Sequence, residues 1–138
     1  ARADAVGWFL QGGTAEMGEA TKYASYRCIP TSNSDDCKVF DVSECENIDA
    51  GLSGDLDGNG TSATLFTATL QWCPMDRSDA TVNTDTERDA ACVDYTGGTM
   101  TGDGTLQGAG VPSGYMRVNV GGTHASGVVI WLKCNGVK

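Results

Sequence analysis

The sequence predicts an α+β domain in which a long N-terminal helix packs on an antiparallel β-sheet of about four strands, with disulfide-stapled loops. Two patterns predict this fold. Apolar residues recur three or four positions apart near the N-terminus, and apolar and polar residues alternate in later segments. The 138 residues suit one domain. We expect a single domain over 1–138, with the helix at 1–27, a cysteine-bearing loop region at 28–61, and the sheet with a C-terminal loop at 62–138.

The helix prediction rests on an apolar stripe within the first 27 residues. Its members are Ala3, Val6, Leu10, Gly13, Met17, Ala20 and Ala24, which would share one face of a helix. Each glycine in this segment costs a helix up to about 1 kcal/mol relative to alanine, so the predicted helix would depend on packing. The alternative is a short strand over 5–11 followed by a loop.

The middle of the chain gives no sustained period. Pro30 and the polar run at 31–36 predict that the helix stops there and a loop begins. Residues 37–61 hold two cysteines, many acids and several glycines. We therefore expect a long, stapled segment with little regular structure.

Alternation predicts the strands of the sheet. In the segment 62–72 the residues on one face are Phe66, Ala68, Leu70 and Trp72. A second strand is predicted to begin at 92–95, with glycine-rich turns over 97–110. The segments 115–120 and 128–133 also alternate, with inward residues Met116, Val118, Val120, Val128, Ile130 and Leu132. The glycine-rich link at 121–127 predicts that these two strands form a hairpin.

The cysteines indicate disulfides in an oxidising compartment. They are Cys28, Cys37, Cys45, Cys73, Cys92 and Cys134, without a C-x-x-C pair and with only one histidine in the chain. Zinc and thioredoxin-like sites need closer ligands, so disulfides of an extracellular or cell-surface protein fit better. Fifteen connectivities are open. We favour local pairs among the first three cysteines, a Cys73–Cys92 bridge or a similar pairing, and Cys134 tying the C-terminus back.

Charge narrows the range of partners. The formal net charge is -9, and a chain this acidic repels phosphate backbones, so no nucleic acid is expected. No segment reaches the roughly 20 apolar residues of a membrane span. No G-x-S-x-G motif is present, and a lone His124 in a loop is typical of a solvent-exposed side chain. We therefore predict that the protein is not an enzyme.

One segment matches half of a calcium loop. Its oxygen-bearing residues at alternate positions are Asp55, Asp57, Asn59 and Thr61, with a glycine at the sixth position. An EF-hand is excluded because Phe66 stands where the bidentate glutamate belongs, and a strand is predicted to follow. A partial Ca²⁺ site completed by Asp49 or Asp103 is one interpretation. The other is a tight turn whose composition suits such residues.

Three tryptophans are candidates for a sugar-binding face. Trp72 is predicted to belong to the core, and Trp8 lies in the predicted helix. Trp131 lies on the face of its strand opposite Ile130 and Leu132, so it is the tryptophan expected to be exposed. An exposed aromatic side chain on a sheet serves as a ligand platform or as a subunit contact.

The N-terminal segment resembles a known family. The run Ala1-Arg2-Ala3-Asp4-Ala5-Val6, the small-residue helix and the run Thr21-Lys22-Tyr23-Ala24 resemble the middle of the N-terminal helix of type IV pilins and pilin-like proteins. The family's layout of a variable loop, an antiparallel sheet of about four strands and a disulfide-closed C-terminal region is similar to the order predicted here. The family's preceding hydrophobic half-helix is not in this sequence, and six cysteines exceed the two that members often have.

This resemblance implies a structural subunit of an extracellular pilus or pilin-like filament, used for adhesion, motility or secretion. Such a subunit would be a homo-oligomer in its full-length form and would contact a membrane only through a missing N-terminal segment. Its assembly face would be Val6, Leu10, Gly13, Met17 and Ala20. The alternative function is that of a secreted monomeric module that binds carbohydrate or calcium, using the 55–61 loop and an exposed tryptophan.

Overall fold

The structure is a computed structural model that describes residues 6–31, 36–53, 66–73, 92–102, 104–111, 114–122 and 128–136. Every regular element in these ranges is a β-strand, and the strands form two antiparallel sheets. The protein is therefore an all-β sandwich, and the predicted α+β class with its long N-terminal helix is wrong. In the same ranges no helix is long and apolar enough to cross a membrane.

The two sheets take strands from all along the chain. The strands are β1 (Trp8–Leu10), β2 (Glu16–Met17), β3 (Ser25–Cys28), β4 (Cys37–Asp41), β5 (Asn47–Ser53), β6 (Phe66–Cys73), β7 (Val93–Thr101), β8 (Thr105–Gly110), β9 (Tyr115–Gly122) and β10 (Val129–Asn135). The six-stranded sheet has the order β2-β1-β3-β10-β5-β8, and the four-stranded sheet has the order β4-β9-β6-β7. The strand β10 thus lies inside the six-stranded sheet, between β3 and β5.

A single main core fills the space between the sheets. Ile130 and Leu132 point into it from the six-stranded sheet, and Leu70 and Val118 point into it from the other sheet. All four side chains are fully buried, and burying one such side chain contributes about 1.5–3 kcal/mol. The inward faces predicted for the strands now labelled β6, β9 and β10 are confirmed, although Trp72 is only partly buried against this core.

Aromatic rings join the N-terminal strands to the opposite sheet. Phe40 of β4 stacks on Trp8 of β1 with a centroid distance of 5.4 Å, and it meets Tyr26 of β3 edge-on at 5.0 Å. The polar ends of both partners are satisfied, since Trp8 Nε1 donates to the Lys38 carbonyl at 2.9 Å and the Tyr26 hydroxyl accepts from the Thr21 amide at 2.6 Å. This arrangement fixes β1 and β3 against the core.

The N-terminal helix fails because the largest buried side chains of this segment lie off the predicted stripe. Trp8 and Tyr26 are fully buried, whereas Leu10 of the predicted stripe is 42% exposed. Gly12 has a φ of +83° in the turn that joins β1 to β2, a conformation that no right-handed helix contains. The alternative of a short strand over 5–11 matches β1, within the part of that segment that the structure describes.

The predicted assembly face is lost together with the helix. Its residues are spread over different positions of the sheet and its turns: Val6, Leu10, Gly13, Met17 and Ala20. Ala20 is fully buried in the core, and Val6 and Met17 are partly buried against the same core. These side chains therefore do not form one surface that a second subunit could cover.

Three further expectations need correction. The segment predicted to have little regular structure contains β4 and β5, and the predicted turns at 97–110 are mostly the strands β7 and β8. The predicted hairpin is absent because β9 and β10 belong to different sheets. In its place, β10 pairs with β5 along its whole length and with β3 over four residues.

Disulfides fasten the sheets at three places. The pairs are Cys28–Cys37, Cys45–Cys134 and Cys73–Cys92, with sequence separations of 9, 89 and 19 residues. The first connects β3 to β4 across the sandwich, and the second ties β10 to the connection between β4 and β5. The prediction of disulfides is confirmed, and so are the local pair, the Cys73–Cys92 bridge and the anchoring role of Cys134. Such bridges are typical of proteins from oxidising compartments.

Candidate ligand-binding groove

The calcium interpretation concerns a segment outside the described residues. This segment contains Asp55, Asp57, Asn59 and Thr61. Asp103 and His124 also lie outside the described residues. Asp49, the other acid proposed to complete the site, lies in β5. One of its carboxylate oxygens accepts from the Gly108 amide and the other from Asn135 Nδ2, each at 2.8 Å. No group of three or more acidic, histidine or cysteine ligands forms in the described ranges.

The three tryptophans have different surroundings. Trp8 is fully buried in the main core, so it cannot present a surface to a ligand. Trp72 lies partly buried against the core and meets Tyr95 edge-on at 5.9 Å. Trp131 projects from the outer face of the six-stranded sheet and is half-buried. Of the three, Trp131 alone combines an outward position with a surrounding groove.

Strand register places Trp131 at the centre of a patch on this outer face. Trp131 pairs with Arg27 of β3 on one side and with Gly51 of β5 on the other. Two residues further along β10, Lys133 pairs with Ser25. Side chains at opposed positions of neighbouring strands point to the same face of a sheet. Arg27, Ser25 and Lys133 therefore stand beside the indole.

Gly51 allows the indole to lie directly over β5. A Cβ atom at this position would collide with the Trp131 ring at Cε2, Cζ2 and Nε1. The ring therefore covers the backbone of Gly51, and this contact holds it in a defined position. The space on its other side, above β3, is left open as a groove.

The N-terminal strands close the groove on its far side. The Gln11 amide donates to the Ser25 carbonyl at 3.0 Å, which extends the row of Lys133 and Ser25 to the turn that follows β1. Arg27 reaches towards the same region, where Nη1 donates to the Leu10 carbonyl at 3.2 Å and Nη2 to the Gly13 carbonyl at 2.9 Å. These bonds fix the guanidinium while its charge stays without a carboxylate partner among the described residues.

We name this feature the Trp131 groove. It has a volume of about 350 Å³ and is lined by Gln11, Ser25, Arg27, Val129, Trp131 and Lys133. That volume falls at the lower end of the range for small-molecule sites, roughly 300–1,000 Å³. The lining combines one aromatic ring, two cations and two neutral hydrogen-bonding side chains. It can stack on a ring, donate several hydrogen bonds and attract negative charge.

The opposite outer face of the sandwich is closed. Arg117 of β9 is only 1% exposed and contacts Asp36, with Nη2 and Oδ2 3.2 Å apart. The other oxygen of Asp36 accepts from the Val120 amide at 2.9 Å. Val39 and the Cys73–Cys92 disulfide form a small second core on this face. Because Arg117 is buried and paired with Asp36, its charge is not available to a ligand.

An acidic group lies around the end of β4. The backbones of Glu19 and Asp41 form an isolated β-bridge, and Glu44 follows in the turn after β4. A hydrogen bond with the Glu44 side chain raises the pKa of Glu19, and the negative charge of Asp41 raises it further. The cluster affects how stability depends on pH.

Fold and site together define a disulfide-bonded β-sandwich with an aromatic, cationic groove on one outer face. The chain matches no protein-family model, and no curated protein or solved structure is significantly similar to it. The function must therefore be argued from the groove itself.

Sequence reasoning identified Trp131 but missed the residues around it. Gln11, Ser25 and Arg27 were assigned to the helix, so their place beside β10 could not be foreseen. One signal was present, because Gln11, Ser25 and Arg27 are polar residues in segments that otherwise contain buried aromatic side chains. That pattern indicates short strands with one face exposed.

Proposed function

We propose that this protein is a secreted, monomeric carbohydrate-binding module that works without catalysis. The observation that carries the proposal is the Trp131 groove. An indole packed directly over Gly51 borders an open groove lined by hydrogen-bonding side chains from β3, β10 and the turn that follows β1. Sugars present an apolar ring face and many hydroxyl groups, and a groove with one aromatic wall and several polar side chains suits both.

The sandwich supports this function in two ways. The groove lies on a continuous sheet whose strands are fixed by the main core, so its side chains are preorganised, which lowers the entropic cost of binding. Three disulfides keep the fold intact in an oxidising environment. The filament interpretation depended on an N-terminal helix, and it loses its basis because residues 6–27 form strands and turns.

A glycan array followed by calorimetry tests the proposal. The array carries neutral polymers (cellulose, chitin, mannan) and acidic polymers (polygalacturonate, alginate, hyaluronate). We expect the wild type to bind at least one class and Trp131→Ala to lose at least tenfold in affinity. Tyr23→Ala is the matched control, because Tyr23 is an aromatic residue that is 65% exposed in a turn outside the groove.

Sedimentation analysis separates ligand binding from subunit contact. The proposal expects a monomer for both wild type and Trp131→Ala. A wild-type dimer that Trp131→Ala converts to a monomer would show that the indole is covered by a second copy. That result, or the failure of the wild type to bind any saccharide on the array, would overturn the proposed function.

A further inference from the structure

The Trp131 groove carries a charge opposite to that of the molecule around it. The chain has a net charge of -9, with 18 acids against nine Lys and Arg. Two of those nine cations, Arg27 and Lys133, line this one groove, and no carboxylate lines it among the described residues. A random distribution over so acidic a surface would favour acids at these positions.

The carboxylate opposite Lys133 in the neighbouring strand accepts hydrogen bonds from other groups. Asp49 of β5 lies opposite Lys133 of β10 in the strand register. Its two oxygens, however, accept hydrogen bonds from the Gly108 amide and Asn135 Nδ2. The Lys133 side chain is exposed and forms no ion pair within the described ranges. Its ammonium group is therefore available to a negative charge brought by a ligand.

Resting on the proposed function, we infer that the Trp131 groove selects acidic saccharides, in which the carboxylate of a uronic acid ring pairs with Lys133. Trp131 stacks on the apolar face of the ring. Lys133 of β10 and Ser25 of β3 lie opposite each other, about 4.8 Å apart across the two strands, and Gln11 follows in the turn after β1. The side chains of Ser25 and Gln11 form hydrogen bonds with the hydroxyl groups of the sugar. Arg27 adds a second positive charge whose position is fixed by two carbonyls.

Single-stranded nucleic acid is the other anionic ligand that stacks on an indole. Its binding depends on many phosphate contacts along a basic groove. This molecule offers two cations in one groove on a strongly acidic surface, which repels a polyphosphate over the rest of its length. An acidic sugar needs one or two local charge contacts, so it fits the observed distribution better.

Calorimetry with one pair of probes tests the inference. Hexagalacturonate and its fully methyl-esterified form share the same rings and hydroxyl groups and differ in charge. We expect the wild type to bind the acidic form at least tenfold more tightly, and this preference to shrink between 50 mM and 500 mM NaCl because salt screens exposed charges. Alginate and hyaluronate oligosaccharides are run beside them, with a single-stranded oligonucleotide as the competing class.

Two lysine variants separate the groove from overall charge. Lys133→Gln should reduce the preference for the acidic form over the esterified form at least fivefold. Lys22→Gln removes the same charge from an exposed turn outside the groove and should leave the preference intact. Far-ultraviolet circular dichroism of both variants confirms that each is folded.

The outcomes distinguish this inference from the proposed function. Equal binding of acidic and esterified forms, or an equal effect of the two lysine variants, would overturn the inference and leave carbohydrate binding standing. Tighter binding of the oligonucleotide than of every acidic saccharide would overturn the inference as well. Absence of binding to any saccharide would overturn both.

Discussion

Each outer face of the sandwich carries an arginine on a central strand, and the two arginines are used in opposite ways. On the four-stranded sheet, Arg117 is buried and paired with Asp36. On the six-stranded sheet, Arg27 is half-buried and donates to two backbone carbonyls. We call the first the closed face and the second the open face. The comparison shows that a carboxylate partner makes an outward arginine a structural residue, and its absence leaves the charge available.

The largest expected effect is on the closed face. Arg117→Met removes the cation that pairs with the buried Asp36, and breaking such a pair costs about 3–5 kcal/mol. Arg27→Met is the matched change on the open face. It should cost about 1 kcal/mol, because water can reach the carbonyls that the guanidinium leaves. Urea unfolding under oxidising conditions measures both values.

Equal losses for the two arginine variants would contradict the distinction between the faces. Ligand affinity provides the complementary measurement. Arg27→Met should weaken binding of acidic saccharides, whereas any Arg117→Met protein that remains folded should bind them as the wild type does.

A smaller effect is expected at the contact that shapes the open face. In Gly51→Ala the new methyl group collides with the Trp131 indole, and overpacking of this kind costs about 1–3 kcal/mol. The displaced ring should also show altered tryptophan fluorescence and a weaker affinity for saccharides. In the Trp131→Ala background the same substitution should cost little, since the methyl group then has space.

The matched control for Gly51 is Gly110. A Cβ at Gly110 meets no atom within 4 Å, so Gly110→Ala should change stability by no more than about 0.5 kcal/mol. Two results would contradict the contact between the indole and Gly51. One is a Gly51→Ala variant as stable as Gly110→Ala, and the other is a double variant with Trp131→Ala whose loss of unfolding free energy equals the sum of the two single losses.

The smallest effect belongs to the acidic group around the end of β4. Glu44 and Asp41 raise the pKa of Glu19, so the folded protein holds this proton more tightly than the unfolded chain does. The contribution of Glu19 to the free energy of unfolding is complete at pH values below the ordinary carboxyl pKa. It is lost as the pH rises through the raised pKa of the folded state. Glu19→Gln should therefore unfold at a slightly higher temperature than wild type at neutral pH.

The pH dependence provides the control for Glu19. The difference in melting temperature between Glu19→Gln and wild type should vanish in acid, where Glu19 is protonated in both states. A difference that persists unchanged at low pH would show that it does not arise from the charge.

The sequence predicted the strands whose two faces differ clearly. Strict alternation around Leu70, Val118 and Ile130 identified β6, β9 and β10 and their buried faces. It could not assign β9 and β10 to sheets, because alternation gives the face of a strand and not its neighbours. Strands adjacent in sequence usually pair, whereas β9 and β10 lie in different sheets.

The first 27 residues were misread because small residues fit several structures. Gly13, Ala20 and Ala24 match a helical stripe by spacing, although they provide little apolar area to hold a helix. The segment is instead fixed by Trp8 and Tyr26 packing on Phe40, a residue of the opposite sheet. That contact is long-range and leaves no local signal. The exposed position of Trp131 was predictable, but the groove was not, since its far side is built from this same segment.

The central position of β10 has a consequence for biogenesis. Until this strand is present, β2-β1-β3 and β5-β8 are separate pieces with unpaired edges, and Cys45 lacks its partner. The sheet that holds the Trp131 groove therefore cannot assemble on the ribosome before residues 129–135 have emerged. The Cys45–Cys134 disulfide can likewise form only after residue 134 has been synthesised, so oxidation completes this sheet late.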